Sequence, residues 1–533
     1  MTAMDNKPVR KIVIVGGGSA GWITAGLLAS EHPDVDLILI ESPDVNIIGV
    51  GEGTWPTMRA TLRRIGIPEK QFIEACSASF KQGTRFVGWT DGAARDIYYH
   101  PFSVPAGYPV TNAVPAWVER RDAISFAHRM TPQAGVCDRN LAPKQAETPD
   151  YAHVLNYGYH LDAGRFAQLL TEHCTDRLGV KHVRDHVRAV NGKPDGDIQS
   201  LSTDHHGNLE ADLFVDCSGM ASLLLGRHYE VPFIDRKDIL FNDSALAVQV
   251  AHDDPNGPIA SQTNSTAQAA GWIWDIALSS RRGIGYVYSS THVSDDEAEL
   301  DLRRYLSQTS KANADDLSLR KLSFRPGHRE RFWHRNCLAI GMSAGFIEPL
   351  EASALVMVEL SATLLSDELP ANRAVMDIAA RRFNERFSYR WSRIIDFLKL
   401  HYVLSQRRDS VYWADNRDPE TIPDSLADLL SLWRYRVPNP RDFSQVDEVF
   451  SAASYQYVLY GMGFETQARM RTSAQADRER ALALFADNDR LGRRYLAQLP
   501  TNRALLGPAD EAGAAVCGSS TAASAPAKQE ISA

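Results

Sequence analysis

The chain has 533 residues, 44% hydrophobic, 23% charged and 9% aromatic, a globular profile that excludes disorder, collagen and small disulfide scaffolds as its main architecture. Lysine and arginine number 57 against 66 acidic residues, a net charge of -9, so no broad basic field exists to hold nucleic acid or an anionic membrane; a small-molecule partner is expected. Six cysteines without a CxxC pair fit neither a metal site nor a secreted disulfide framework; with no signal-like N-terminus and no run of about 18 apolar residues, a reduced cytoplasmic setting is expected.

In chain order, residues 1–10 read as a polar extension. Lys11–Val15 (KIVIV) predicts a strand, residues 20–30 a buried helix, and residues 35–40 (VDLILI) a second strand ending at Glu41, a complete βαβ unit. A glycine-punctuated loop follows (47–54, IIGVGEGT), then an amphipathic stretch over 57–80 that predicts helix. Residues 91–151, rich in Pro, Gly and aromatics, predict loops laid over a scaffold and suited to substrate contacts. Residues 157–174 predict a helix with its start signal at Asp162. Two short apolar runs, 212–215 and 336–340, predict buried strands leading into Cys217-Ser218-Gly219 and Gly341. An apolar helix from about 352 to 366, a largely helical region over 382–499 and a disordered tail over 507–533 complete the reading.

Gly16, Gly18 and Gly21 form GxGxxG between the first strand and helix. The first glycine permits the tight turn, the second lets backbone approach a pyrophosphate, and the third allows close helix–strand packing. With Gly17, Ser19 and Ala20 they place unpaired N–H groups at a helix N-terminus, a phosphate site. Glu41, 20 positions after Gly21, lies where a carboxylate would accept a ribose hydroxyl. One such fingerprint, followed by VDCSG and NCLAIG, favours FAD over a separate nicotinamide domain.

Three segments resemble the flavin-dependent halogenases related to the tryptophan halogenases: GGGSAGW (16–22) with IGVGEGTWP (48–56), GWIWDIAL (271–278), and AGFIEPLEAS (344–353). The resemblance runs from about residue 11 to 494. It implies an α/β fold, an FAD-binding Rossmann-like (GR2-type) module over 11–380 with inserted substrate loops at about 91–151, and a mostly helical substrate-side portion over 381–506. It implies FADH2 supplied by a separate NAD(P)H-dependent flavin reductase, with O2 and chloride or bromide as co-substrates. In this chemistry halide attacks a flavin hydroperoxide, and the hypohalous acid is guided to a lysine, here Lys81 by its ASFK context. Glu351 is implied to polarise the oxidant and take the released proton; Glu348 is the alternative acid, or a helix cap. Val50 and Gly53 join the cofactor set, backbone amides of Ser353 and Ala354 bind halide, Trp272 and Trp274 partition flavin from substrate, and His100 and Phe102 hold the arene.

This chain departs from the family pattern at Ala277, where the signature has proline, and at Ala352-Ser353-Ala354, where tryptophan-specific members have Ser-Thr-Gly. Around Ser454 and Tyr455 it lacks the adjacent aromatic pair that helps clamp tryptophan, so an indole derivative is the preferred substrate. A homodimer is left open. A flavin-dependent aromatic hydroxylase is the rival enzyme class, weakened by Cys217-Ser218-Gly219 where an Asp-Gly pair is usual; a non-catalytic flavin-binding protein is the third reading.

Overall fold

The computed structural model describes residues 7–45, 51–121, 123–194, 196–467 and 474–509. Lys11–Val15 lies between Asp36–Glu41 and Leu213–Asp216 in parallel register. Lys181–Arg184 extends this sheet on one side, Cys337–Ala339 and the antiparallel edge strand Trp333–His334 on the other. Such continuously apolar strands require cover on both faces. Helix Ser19–Glu31, buried from Gly21 to Leu28, packs against helices Ala163–Asp176 and Ser353–Asp367. Val15, Glu41, Asp216 and Ala339 end their strands on one edge, where open α/β sheets hold their ligands. This is the α/β, Rossmann-like arrangement expected from the sequence.

A second sheet of seven strands runs Arg320–Ser323, Ser244–Ala251, Arg281–Tyr288, Gly271–Ala277, Thr263–Gln268, Gly83–Val87, Ile97–Pro101. Gly271–Ala277 is buried on both faces: Trp272, Trp274 and Ile276 join the main core, while Ile273 packs with Leu246, Tyr286 and helix Asp295–Thr309. A small sheet, Gly51–Gly53, Gly158–Asp162 and Ser79–Lys81, joins the two larger bodies.

Three expectations are modified. Residues 57–80 are not one helix: Gly66, at φ 89°, stops Met58–Ile65, Glu69–Ala75 follows Pro68, and Ser79–Lys81 is strand. Pairing with Gly158–Asp162 outweighs the helical pattern there, and that same pairing makes the start of 157–174 strand. Asp162 does cap the following helix, accepting from Arg165 N at 3.1 Å. Within 91–151 the chain forms strand Ile97–Pro101 and helices Val114–Val118, Phe126–Met130 and Gln133–Asp138; Tyr99, Trp117 and Phe126 bury against Tyr457, Tyr460 and Phe485. Turn-rich composition concealed the aromatic strand.

Beyond the second sheet come helices Arg373–Val403, Val411–Asp415, Asp424–Trp433, Ala452–Gly461, Ala474–Gln498 and Asn502–Leu506, the first running unbroken through position 380. Val50, the initial six residues, and 510–533 of the expected tail lie outside the described residues. No described helix is long and apolar enough to cross a membrane.

Behind the strand carrying Lys81, Phe80 packs its ring against Tyr157 and Tyr159. Buried Glu69 accepts from both tyrosine hydroxyls (2.5 and 2.6 Å), Tyr151 N (2.7 Å) and Lys144 Nζ (2.5 Å). Burial raises the pKa of Glu69, but Lys144 and the tyrosines outweigh it and hold the carboxyl below its usual range. Lys144→Met strands that charge and is expected to cost about 3–5 kcal/mol, read as a lowered urea midpoint; an unchanged midpoint would show that the pair contributes nothing.

Candidate active site

At the sheet edge, Gly16 has φ 118°, and a Cβ there would lie 2.1 Å from Cys217 O. A Cβ on Gly21 would lie 1.9 Å from Gly16 O, so the turn closes only with glycine at both positions. A Cβ on Gly18, by contrast, would meet nothing within 4 Å: the backbone faces open space. The helix beginning at Ser19 has no side-chain cap and no acidic residue in its first turn, so its N–H groups, including those of Ser19 and Ala20, are available to phosphate. Glu41 leans over Gly17 and pairs with His182 Nε2 at 2.7 Å. These residues fit the pyrophosphate and ribose of FAD.

Gly53 joins this region to the second part of the site. Its Cβ, were there one, would stand 3.0 Å from Lys81 Nζ and 3.3 Å from Ala352 Cβ, so the absent side chain lets the lysine approach the start of helix Ser353–Asp367. Lys81 is buried on a strand, with its Nζ 5.5 Å from the Phe102 ring centre. Burial lowers its pKa to about 8, opposed by the charge of Glu351.

Glu351 and Ala352 are both left-handed, at φ 65° and 55°, and Trp55 Nε1 donates to the Glu351 carbonyl at 2.8 Å. The following N–H groups, Ser353 and Ala354, occupy the first helical turn without a side-chain cap; Ser353 is buried and Ala354 exposed. The buried Glu351 carboxylate accepts from His100 Nδ1 at 2.7 Å and has His401 Nε2 at 3.5 Å, both on Oε1, with Thr84 Oγ1 at 3.4 Å from Oε2. Burial alone would raise its pKa; His100, through charge and hydrogen bond, and then His401 hold it far below the usual carboxylate range.

Glu348 has the opposite character. Its Oε2 accepts from Trp272 Nε1, Asn242 Nδ2 and Tyr402 OH, each at 2.7 Å, while burial raises its pKa despite them. It anchors Trp272, whose ring centre lies 6.4 Å from those of Trp274 and Trp89. Ala277, where the family signature has proline, accepts at its carbonyl from Ser79 Oγ at 2.5 Å, tying that strand to the one carrying Lys81.

The His100 ring lies among Phe397, Tyr457 and Phe450 at 5.7, 6.2 and 6.5 Å, and Phe397 stacks on Phe450 at 3.8 Å. Tyr455 is fully buried among Phe397, Phe443 and Trp433. Lys81, Glu351, His100, Phe102, Gly53 and the amides of Ser353 and Ala354 thus converge, while Gly16–Gly21 and Glu41 form a separate cradle at the sheet edge. Sequence reasoning missed Trp55, Thr84, Tyr98 and His401. Trp55 lay within a quoted motif and Tyr98 two residues before His100, but nothing local marked Thr84 or His401.

A family described as Tryptophan halogenase matches residues 11–478. A tryptophan halogenase from Shewanella frigidimarina NCIMB 400 shares 51% identity and a TM-score of 0.92, covering 95% of this chain and 98% of that one. Tryptophan 6-halogenase SttH of Streptomyces toxytricini is 33% identical over 485 residues, 86% of this chain and 90% of its own. BrvH, a flavin-dependent halogenase from Brevundimonas sp. BAL3, is 31% identical with a TM-score of 0.81, over 94% and 99% of the two chains.

Gly21→Ala is expected to weaken FAD binding at least about tenfold, about 1.4 kcal/mol, in fluorescence titration with unchanged circular dichroism. Undiminished affinity would remove the glycine turn from the cofactor site.

Proposed function

Because this chain is a member of the flavin-dependent tryptophan halogenase family, we propose that it halogenates an indole-type arene by guiding hypohalous acid to Lys81, with Glu351 taking the ring proton. The observation that carries this reading is the pairing of a buried lysine and a buried carboxylate at the uncapped start of one helix, with Gly53 between lysine and helix.

Gly16–Gly21 and Glu41 hold FAD. Bound as FADH2, the cofactor supplies the activation of O2 by which chloride or bromide is oxidised to hypohalous acid. Ser353 and Ala354 offer backbone N–H groups to the halide, favoured by the helix N-terminus. Trp272, held by Glu348, and Trp274 wall the flavin side from the arene side, so the arene meets the halogenating species at Lys81. The Lys81 ammonium donates a hydrogen bond to the hypohalous oxygen; as the ring carbon bonds the halogen the oxygen–halogen bond breaks, and the departing hydroxide takes the Lys81 proton and leaves as water. His100, Phe102 and the rings around His100 orient the arene, and ionised Glu351 accepts the proton when the ring recovers aromaticity.

The substrate-side rings are apolar, and Tyr455 is turned into the core, which favours an indole derivative over the free amino acid. A separate NAD(P)H-dependent reductase supplies the reduced flavin. The five described cysteines are free and buried, in keeping with a reduced compartment.

Lys81→Ala and Glu351→Gln are each expected to lower halogenation about 10²- to 10⁴-fold with FAD affinity retained. Mass spectrometry of reactions with reductase, halide, indole and tryptophan reads the outcome; undiminished product, or halide-independent hydroxylation by the unaltered enzyme, would overturn the reading. Since Lys81 titrates near 8, halogenation is expected to fall as pH rises through about 8, where the donor proton is lost. A rise there would make the free amine the working form.

A further inference from the structure

His401 lies fully buried in the last turn of helix Arg373–Val403, some fifty residues from the nearest segment that the site's sequence signals identify. Its ring stacks on Phe86 at 4.8 Å and has Trp89 at 5.9 Å and Phe397 at 5.4 Å, leaving polar contacts only through its two nitrogens. Nδ1 is 2.7 Å from Tyr98 OH, and Nε2, 3.5 Å from Glu351 Oε1, makes no hydrogen bond among the described residues.

These contacts fix the tautomer. Tyr98 is buried, and burial, then the charges of Glu351 and Asp96, keep its hydroxyl protonated and able to donate to Nδ1; the Glu351 carboxylate facing Nε2 can only accept, which places the ring proton there. Burial likewise favours neutral imidazole over imidazolium at His401. A neutral ring accepting at Nδ1 carries its proton on Nε2, facing Oε1 of a carboxylate that can only accept. His100 Nδ1 approaches the same oxygen at 2.7 Å from the opposite element. Among the described residues Oε2 keeps one long contact, Thr84 Oγ1 at 3.4 Å. The carboxylate is therefore held asymmetrically, one oxygen between two histidines and the other lightly engaged.

We propose that His401, its tautomer set by Tyr98, is a positioning residue: with His100 it holds Oε1 of Glu351, leaving Oε2 as the oxygen that takes the proton from the halogenated ring. In that step the C–H bond at the substituted carbon breaks, its electron pair returns to the ring, and the proton passes to Oε2. The proposal rests on the role of Glu351 given above. Besides Glu351, His100 and Tyr98, the charged groups bearing on this set are Lys81, acting on Glu351, and Asp96, acting on Tyr98. At 3.5 Å the His401 contact is longer than a hydrogen bond, and catalytic contacts of this kind commonly tighten only in the substrate complex.

The test is the pH dependence of kcat for His401→Leu, His401→Gln and Tyr98→Phe, with reductase in excess and halide saturating. His401→Leu is expected to lower kcat about tenfold or more, change the arene KM less than about twofold, and bring the acid limb up towards the ordinary carboxylate range. Removing the Nε2 donor makes Glu351 easier to protonate, so the shift is towards higher pH. His401→Gln, whose amide can donate to Oε1, is expected to recover most of the loss. Tyr98→Phe keeps the ring stacked on Phe86 and is expected to shift the limb in the same direction by less. A fall in kcat with an unmoved acid limb, or a change in KM alone, assigns His401 to packing and overturns the proposal. If His401→Leu fails to fold, Tyr98→Phe decides, and an unmoved limb there overturns it. Glu351→Gln run in parallel separates the two readings: an active Glu351→Gln sinks the role of Glu351 itself, whereas an inactive one beside unaltered His401 and Tyr98 variants sinks this inference alone.

Discussion

The site is organised around a backbone reversal that L-residues avoid. Glu351 and Ala352 occupy left-handed conformations in succession, each costing about 1–3 kcal/mol. The reversal sends the Glu351 side chain towards His100 and His401 while the chain turns at once into helix Ser353–Asp367, whose first N–H groups stay uncapped. Trp55 secures it by donating to the Glu351 carbonyl, and burial of the helix against Ser19–Glu31 offsets the strain. Without this reversal, carboxylate, helix terminus and lysine would not face a common space, and Gly53 would have no close approach to permit.

Two carboxylates three residues apart show how environment divides chemistry. Glu351 meets two histidines and is held ionised; Glu348 meets neutral donors from Trp272, Asn242 and Tyr402, and its proton affinity rises. Each has a buried lysine in its electrostatic surroundings, Lys81 for the former and Lys399 for the latter, and burial lowers both, to about 8 and about 7. Only the first pair adjoins the uncapped helix and the rings around His100. The second is enclosed, with Lys399 donating to Asn416 Oδ1 at 3.1 Å and lying over Phe241.

The sequence made the βαβ unit legible because apolar runs and glycine turns are local signals, and it singled out Lys81 and Glu351 as candidates because they sit inside short motifs. It failed where long-range pairing decided. Ser79–Lys81 reads as the end of an amphipathic helix until Gly158–Asp162 is present to pair with it. Ile97–Pro101 was hidden by its Pro- and Gly-rich flanks, and Tyr98 with it. His401 carries no local mark: a histidine in the last turn of a helix is an ordinary dipole partner, and only the fold brings it to Glu351.

Helix Arg373–Val403 spans about 46 Å at 1.5 Å per residue. Near its start Arg373 pairs with Asp197, and Phe383, Asn384 and Phe387 bind the edge of the parallel sheet through Phe332 and Trp333. At its other end stand Phe397 and His401. One unbroken rod therefore sets the spacing between the parallel sheet and the rings around His100. The helix thus serves as a ruler between the two, pinned near one end by Phe383, about 27 Å along the axis from His401.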